Sequence, residues 1–268
     1  MGPGPLPAPL QPLAADPAHG ALFLDFDGTL AAIVEDPWGA RPLPGVSALL
    51  ADLARAFELV AVVSGRPPDF LAEVLGDPPG VELVGLYGLA RALGGGEEAT
   101  RWAGVIDDVV AEATAAAPVG VYVEPKGLTT TLHWRHAPEA RPWVESFARR
   151  QAEARGLALH PGRMELELRP PVAVDKGTVV HALAAEHAGR LRAVAAFGDD
   201  IGDLPAFAAV GELRDPSGAP LTAVRVAAVD EESPSEVAAR ADLTVDGAAG
   251  AVSLLRALAD AAAQSVTR

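Results

Sequence analysis

The architecture of this 268-residue chain begins with the stretch Ala21-Leu22-Phe23-Leu24-Asp25-Phe26-Asp27-Gly28-Thr29. A run of apolar residues followed by an acid is typical of a buried parallel strand whose carboxyl end lies at a functional site. Asp25 and Asp27 are two positions apart, and Gly28 lets the chain turn, so the two carboxylates can point in different directions. The sequence therefore predicts a first strand followed by two acids with separate roles.

Strands and helices alternate on both sides of a central segment. A helical pattern at residues 44–57 leads to an apolar strand at 59–63, and the next helix leads to a strand at 81–86. The alternation returns with a helix that begins at Lys176 and a strand at 193–197. This pattern is typical of an open parallel sheet.

The central segment has a different pattern, because strands at 119–124 and 129–135 follow one another closely. Short connections favour antiparallel pairing. The sequence thus predicts an α/β fold, a Rossmann-like parallel-sheet core with an inserted α+β domain. The expected divisions are a disordered leader rich in Pro and Ala at 1–19, a core at 20–96 and 171–268, and the inserted domain at 97–170.

The chain carries 21 Lys and Arg residues against 36 Asp and Glu residues, which gives a formal net charge of -15. This charge argues against a nucleic-acid-binding surface. A phosphate-binding site in such a chain needs local positive charge, which a divalent cation and one or two basic residues can supply.

The sequence contains no cysteine, which excludes disulfides, thiolate nucleophiles and thiolate metal sites. Its apolar stretches have the length of strands rather than of membrane spans. The N-terminal residues lack the basic start and continuous apolar core of a secretory signal. We therefore expect a cytoplasmic protein that binds neither membrane nor nucleic acid.

Four polar clusters follow predicted strands or begin predicted helices. They are Asp25 to Thr29, Ser64-Gly65, Lys176, and Gly198 to Asp203. The carboxyl ends of parallel strands share one edge of a sheet, which is where ligands bind. Acids, a hydroxyl and a lysine are therefore expected to converge at that edge.

These residue types suit phosphoryl transfer. Asp25 can attack phosphorus and form an aspartyl phosphate, while Asp27 can protonate the leaving oxygen and later accept a proton from water. Mg²⁺ bound by Asp25 and Asp199 would cancel the repulsion between carboxylate and phosphate. Asp203 would brace the metal from a second layer of residues.

Lys176 would supply positive charge to the phosphoryl group, and the Ser64 hydroxyl and Gly65 N–H would hold its oxygens. The alternative for Ser64 is a simple helix N-cap. The alternative for Lys176 is a solvated residue in a first helical turn, but a helix N-terminus disfavours a cation. A bound anion would explain the lysine.

The clusters also resemble a known superfamily. Asp-Phe-Asp-Gly-Thr-Leu from Asp25, Val-Ser-Gly-Arg from Val63, Asp-Lys-Gly from Asp175 and Gly-Asp-Asp from Gly198 resemble the four motifs of the haloacid dehalogenase phosphatases. The resemblance implies a Mg²⁺ cofactor with a further ligand at the backbone carbonyl of Asp27. The insertion between the second and third motifs resembles the large α+β cap of this superfamily.

The cap narrows the resemblance to one family. Val123-Glu124-Pro125-Lys126-Gly127, Leu132-His133-Trp134-Arg135 and Leu166-Glu167-Leu168-Arg169-Pro170 resemble the signatures of trehalose-6-phosphate phosphatases, as does Gly85-Leu86-Tyr87-Gly88. The resemblance implies that cap side chains hold the second glucose of the substrate. The implied sugar contacts are Glu124, Lys126, His133 and Glu167, with Arg66, Arg135 and Arg169 as further candidates. Ordinary solvated charges are the alternative for these residues.

One motif departs from the family pattern. The family usually has Thr and Glu where this chain has Gly202 and Leu204, whereas Asp203 is kept. We expect this change to alter metal affinity before it abolishes activity.

The resemblance implies a Mg²⁺-dependent hydrolase that converts trehalose 6-phosphate to trehalose and phosphate. The alternatives are a phosphatase of another sugar phosphate, such as sucrose phosphate or a glycosyl phosphoglycerate, and a non-catalytic regulator that binds a sugar phosphate. A degenerate regulator is expected to lack Asp25, Asp27 or Lys176, and all three are present. The chain is too short for an added glycosyltransferase domain, so a trehalose-phosphate synthase is expected as a separate chain.

Overall fold

The computed structural model describes residues 6–34, 37–94, 96–162, 164–230 and 233–266. The chain divides into two compact units, which we call unit 1 (Met1–Gly88 with Val174–Arg268) and unit 2 (Leu89–Ala173). Unit 2 begins before and ends after the insertion expected at residues 97–170.

The described residues contain ten strands, numbered along the chain. They are β1 (Gly20–Leu24), β2 (Leu59–Val63), β3 (Val81–Val84), β4 (Tyr122–Pro125), β5 (Thr130–His133), β6 (Ala158–Gly162), β7 (Glu165–Arg169), β8 (Ala193–Gly198), β9 (Thr222–Val229) and β10 (Leu243–Asp246).

The same part of the chain contains ten α-helices and several short 3-10 turns. The helices are α1 (Gln11–Ala15), α2 (Val46–Ala56), α3 (Pro68–Leu75), α4 (Leu89–Ala92), α5 (Gly96–Ala116), α6 (Arg141–Arg155), α7 (Lys176–Glu186), α8 (Leu204–Glu212), α9 (Ser235–Arg240) and α10 (Gly247–Val266). None of these helices is long and apolar enough to cross a membrane.

Unit 1 is built on a six-stranded parallel sheet in the order β10-β9-β8-β1-β2-β3. β1 lies between β8 and β2, and all of its residues are buried. Leu22 and Leu24 pack into one hydrophobic cluster, while Ala21 and Phe23 pack into a second one on the other face of the sheet. Burial on both faces explains why the strand has a continuous apolar sequence. The predicted α/β fold class is confirmed.

Unit 2 is built on a four-stranded antiparallel sheet in the order β4-β5-β7-β6. Side chains alternate between its faces, so Leu132 and Leu168 are fully buried while His133 and Glu167 stand on the opposite face. Glu124, His133 and Glu167, which the sequence suggests as sugar contacts, therefore share one face of this sheet.

The N-terminal segment differs from expectation. Residues 6–19 are not a disordered leader, because they form α1 between two 3-10 turns at Ala8–Leu10 and Pro17–His19. Leu10 and Leu13 are fully buried in the core of unit 1, and burial of these apolar side chains outweighs the Pro-rich composition. The prediction of disorder is wrong for these residues, and residues 1–5 lie outside the described part.

Candidate active site

The ends of β1 and β8 bring three acids of unit 1 together. Asp25 directly follows β1, and its backbone N–H donates a hydrogen bond to the carbonyl of Phe197 over 3.0 Å. Asp199 directly follows β8, and Asp203 closes the turn after it. Carboxylate oxygens of Asp25, Asp199 and Asp203 lie within 4.8 Å of one another, and all three residues are buried. We call them the acid cluster.

The turn after β8 fixes the orientation of Asp203. Its Oδ2 accepts hydrogen bonds from the backbone N–H groups of Asp199 at 2.9 Å and Asp200 at 3.1 Å. The Asp200 carboxylate accepts from the N–H of Ile201 at 2.7 Å, which is a capping role. A Cβ at Gly198 would overlap the Asp203 side chain, so this close approach requires glycine.

Lys176 enters the acid cluster as the first residue of α7. A capping box holds the start of this helix, with the N–H of Thr178 donating to Asp175 Oδ1 at 2.8 Å and the N–H of Asp175 donating to Thr178 Oγ1 at 3.0 Å. The Lys176 ammonium lies 2.5 Å from Asp25 Oδ1 and 2.6 Å from Asp203 Oδ1. The two carboxylates offset the unfavourable placement of a cation at a helix N-terminus.

Burial and like charge dominate the electrostatics of the acid cluster. Burial, followed by the charge of Asp203, raises the pKa of the Asp25 carboxyl. Burial, followed by the charges of Asp25 and Asp203, raises the pKa of Asp199. Burial opposes the charge of Lys176, but Asp203 and Asp25 more than offset it and raise the pKa of its ammonium. When all three acids are ionised, one cation among them leaves an excess of negative charge.

This excess fits a divalent cation. The ligand set consists of carboxylate oxygens, which hard cations such as Mg²⁺ prefer, and their mutual repulsion would be relieved by a positive ion. The loop after β1 also lies close to the Asp199 carboxylate. Gly28 has a φ of 72°, and a Cβ there would overlap the Asp199 carboxylate.

Ser64 and Gly65 follow β2, the strand beside β1. The backbone N–H of Tyr87 donates to the Ser64 carbonyl over 3.0 Å, and a Cβ at Gly65 would lie 2.6 Å from the Tyr87 hydroxyl. Tyr87 has a φ of 54°, a backbone conformation that is uncommon for tyrosine. Sequence reasoning gave Tyr87 no role, although the Gly-Leu-Tyr-Gly pattern around it was a signal.

Arg66 engages the other acid of the first motif. Its Nε donates to Asp27 Oδ2 at 2.7 Å, and its Nη2 donates to Asp27 Oδ1 at 2.7 Å. Both oxygens of the expected proton donor are therefore held by one guanidinium. The sequence suggested substrate contact for Arg66, whereas the structure places its guanidinium on Asp27.

The polar face of unit 2 carries a second cluster. His133 Nε2 lies 2.8 Å from Glu124 Oε2, and its Nδ1 lies 3.0 Å from Glu165 Oε2. Lys126 lies 3.3 Å from Glu124 and 3.9 Å from Glu167. The four residues expected to contact sugar thus lie together, and Glu165 joins them. Sequence reasoning missed Glu165, which the pairing register places opposite His133.

Hydrogen bonds and neighbouring charges in this second cluster shift the pKa values of His133 and Glu124 in opposite directions. Burial opposes the charge of His133, but its hydrogen bonds to Glu124 and Glu165 raise the pKa of the imidazole. Burial likewise opposes the charge of Glu124, but the hydrogen bond from His133 and the charge of Lys126 lower the pKa of its carboxyl. The result is a row of hydrogen-bond donors and acceptors, which suits recognition of hydroxyl groups.

The remaining candidates are placed less centrally. Arg135 is exposed beyond the end of β5, and Arg169 is buried at the end of β7. At Gly202, no heavy atom of the described residues outside its own segment of chain lies within 4 Å of the position of a Cβ. A side chain at this position would meet open space, so the packing of the acid cluster does not require glycine there.

The sequence of this chain is similar to the sequences of known proteins. A family model described as trehalose-phosphatase matches residues 23–246. The chain belongs to the trehalose-phosphatase family. It is 36% identical over 204 residues to the trehalose-phosphate phosphatase of Mycobacterium avium (strain 104), which covers 72% of this chain and 51% of that protein.

A second family member gives a similar result. The trehalose-phosphate phosphatase of Mycobacterium bovis (strain BCG / Pasteur 1173P2) is 38% identical over 221 residues, which covers 75% of this chain and 53% of that protein. The chain therefore spans about half the length of these curated relatives. The resemblance inferred from the sequence motifs is confirmed.

Solved structures of the trehalose-phosphatase family share the fold. The crystal structure of a trehalose-6-phosphate phosphatase related protein aligns with a TM-score of 0.70 at 23% identity, over 92% of this chain and 99% of that one. The C-terminal domain of the C. albicans trehalose-6-phosphate phosphatase aligns with a TM-score of 0.66 at 20% identity, over 97% and 99%. The predicted α/β fold, a parallel-sheet core with an inserted α+β domain, is confirmed.

Proposed function

We propose that this protein is a Mg²⁺-dependent phosphatase that hydrolyses trehalose 6-phosphate to trehalose and phosphate. The observation that carries the proposal is the acid cluster with Lys176, which lies at the ends of β1 and β8 in a chain of the trehalose-phosphatase family. A buried carboxylate beside a fixed ammonium is the arrangement that a phosphoryl-accepting nucleophile needs.

Asp25 is the nucleophile in this mechanism. An oxygen of its carboxylate attacks phosphorus, the bond from phosphorus to the sugar oxygen breaks, and an aspartyl phosphate forms on Asp25. Asp27 gives a proton to the leaving sugar oxygen. Water then attacks the aspartyl phosphate and gives its proton to Asp27, which restores both residues and releases phosphate.

The surrounding groups hold the transferred phosphoryl group and its charge. Lys176 supplies the permanent positive charge, and Ser64 with Gly65 supplies hydroxyl and backbone donors. Asp25, Asp199 and the backbone carbonyl of Asp27 would hold Mg²⁺, with Asp203 behind them. The ion, when bound, would neutralise charge on the carboxylates and on the phosphoryl oxygens.

Unit 2 supplies the sugar specificity. Glu124, Lys126, His133 and Glu167 present charged donors and acceptors on one sheet face, which are the groups that bind sugar hydroxyls. In this proposal the enzyme works in the cytoplasm and receives its substrate from a trehalose-phosphate synthase on a separate chain.

The test is phosphate release in Mg²⁺ from four substrates: trehalose 6-phosphate, sucrose 6-phosphate, glucose 6-phosphate and a mannosyl phosphoglycerate. We expect preference for the first, with loss of all release in Asp25→Asn. Asp52→Asn, which changes an exposed acid on α2, is the matched control and should keep full activity. Preference for another sugar phosphate would contradict the proposed substrate but leave the assignment of Asp25 as nucleophile intact. No phosphate release from any of the four substrates would contradict the proposal that the protein is a phosphatase.

A change in unit 2 tests the sugar site separately. Glu124→Gln removes the charge that binds both His133 and Lys126, so KM for trehalose 6-phosphate should rise about tenfold, the cost of a lost charged hydrogen bond. Release from p-nitrophenyl phosphate, which carries no sugar, should change little. An equal loss on both substrates would contradict a role in sugar binding.

A further inference from the structure

The Arg66 guanidinium forms a two-pronged contact with Asp27 in unit 1, which we call the arginine clamp and which the mechanism above leaves unused. Two parallel hydrogen bonds of 2.7 Å join the Arg66 guanidinium to both oxygens of Asp27. Such a fork fixes the plane of a carboxylate as well as its position, which a single hydrogen bond does not do.

Asp27 needs such support more than Asp25 does. Its side chain is 34% exposed, whereas that of Asp25 is 8% exposed. Asp27 also lies on the loop after β1, just before the turn at Gly28. A partly exposed carboxylate on a loop can rotate about two side-chain bonds, and Arg66 removes this freedom.

Aromatic rings hold Arg66 in turn. The centre of the guanidinium lies 5.1 Å from the centroid of the Phe70 ring. Phe70 contacts Trp38 at 5.5 Å and Phe26 at 6.1 Å between ring centroids, both in edge-to-face geometry. A cation held against a buried aromatic ring keeps a defined orientation. The clamp therefore connects Asp27 to the rigid core through α3.

We propose that Arg66 is a positioning residue that aims the Asp27 carboxyl at the leaving oxygen of the substrate. This inference rests on the proposed function and assigns Arg66 to proton transfer rather than to binding of sugar or phosphate. Phe70 acts through Arg66 by fixing its guanidinium. Neither residue needs to touch the substrate.

The role predicts a dependence on the leaving group. A sugar alkoxide leaves poorly and needs a proton in the transition state, whereas p-nitrophenolate leaves without one. Loss of Arg66 should therefore slow the first chemical step for trehalose 6-phosphate and spare that step for p-nitrophenyl phosphate. The second step, attack of water on aspartyl phosphate, needs Asp27 for both substrates.

The experiment is single-turnover kinetics with excess Mg²⁺-loaded enzyme, for wild type, Arg66→Met, Arg66→Lys and Phe70→Leu. In Arg66→Met we expect the first-turnover rate on trehalose 6-phosphate to fall about 100-fold, the typical contribution of a general acid, with less than about a threefold change on p-nitrophenyl phosphate. Steady-state turnover of p-nitrophenyl phosphate should show a burst of p-nitrophenolate followed by slow release. Arg66→Lys should recover little, because an ammonium cannot form the fork.

Two controls separate this role from others. Arg190→Met removes an arginine of unit 1 that pairs with Glu58 at 2.6 Å, and it should leave both rates unchanged. Competitive inhibition by inorganic phosphate should stay within about threefold of wild type in Arg66→Met, because the phosphate-holding groups are intact. Phe70→Leu should shift the leaving-group dependence in the same direction by a smaller factor.

The outcomes are distinguishable. Equal loss on both substrates in a folded Arg66→Met protein, or strongly weakened phosphate inhibition, would assign Arg66 to phosphate binding and overturn the inference alone. Unchanged rates on both substrates would overturn it too. A wild-type protein that releases phosphate from neither substrate would overturn the proposed function and this inference with it.

Discussion

The geometry of the acid cluster depends on the absence of a side chain at Gly28. Its φ of 72° favours glycine, and a side chain there would overlap the Asp199 carboxylate. Gly28→Ala should therefore cost about 1 kcal/mol of unfolding free energy from backbone strain. It should also lower kcat about 100-fold, because it displaces Asp199. Urea denaturation and steady-state phosphate release measure the two effects.

Gly76 offers a matched control for this prediction. It ends α3 with a φ of 73°, and apart from its chain neighbours no heavy atom of the described residues lies within 4 Å of its Cβ position. Gly76→Ala should cost a similar unfolding free energy and leave kcat unchanged. Equal activity of the two variants would show that Gly28 has no special relation to Asp199.

The raised pKa values of Asp25 and Asp199 predict a pH-dependent stability in the metal-free protein. Burial, followed by neighbouring acids, raises both, so the folded state keeps protons that unfolded aspartates lose above about pH 4. Because the folded state then binds more protons than the unfolded state, the unfolding free energy should fall as pH rises from about 4 through neutrality.

Urea denaturation between pH 5 and 9, with a chelator or with Mg²⁺, checks this prediction. Added Mg²⁺ should flatten the fall, because a bound cation favours ionised carboxylates. Asp199→Asn should reduce the fall without metal, because it removes one of the raised groups. A chelated wild-type protein whose stability rises over this range would contradict the sign.

At the scale of elements, α1 shows how a short helix can contribute to the core. Leu10 and Leu13 are fully buried with Leu255 and Leu258 of α10, and the Ser265 hydroxyl donates to the Ala14 carbonyl over 2.6 Å. The N-terminal segment therefore packs as part of the sheet's helical layer.

Leu13→Ala should lower the unfolding free energy by about 2–5 kcal/mol, the usual cost of a large cavity in a core. Gln11→Ala, an exposed change in the same helix, should stay within about 0.5 kcal/mol of wild type. Urea midpoints with unchanged slopes measure both. A small effect of Leu13→Ala would mean that α1 is not part of the cooperative core.

Some helices and strands can be predicted from their sequence more readily than others. β2 occupies residues 59–63 as expected, because a continuous apolar run has few alternatives. α1 was missed because its Pro and Ala content hides the spacing of Leu6, Leu10 and Leu13, which recurs as one helix face would. The order of the strands in the sheet could not be derived from the sequence. β1 pairs with β8, which lies more than a hundred residues away, and the hydrophobic pattern of a strand does not indicate which distant strand it pairs with.

The same contrast applies within the candidate site. The convergence of Asp25, Lys176 and Asp199 follows from their positions at the ends of parallel strands or the start of a helix. The clamp of Arg66 on Asp27 does not follow, because the direction of a long side chain depends on packing against Phe70. Sequence patterns locate backbone positions better than they locate flexible side chains.

At the scale of the whole molecule, the proposed metal ligands and the proposed sugar ligands lie in two different compact units. The acid cluster belongs to unit 1, and the cluster around His133 belongs to unit 2. A bound ion stabilises only those openings of the structure that break its ligand set. The effect of Mg²⁺ alone should therefore be confined to unit 1.

Amide hydrogen exchange tests this division. With Mg²⁺ at about 100 times its Kd, amides of β1, β8 and the first turn of α7 should gain up to about 2.7 kcal/mol of protection, the full effect of binding to the folded state alone. Amides of β4 to β7 should exchange as in the metal-free protein. Asp199→Asn should abolish the gain, because it removes a charged ligand, whereas Glu124→Gln should preserve it. Protection that spread equally over both sheets would contradict this division, because it would show that the two units open in one cooperative step.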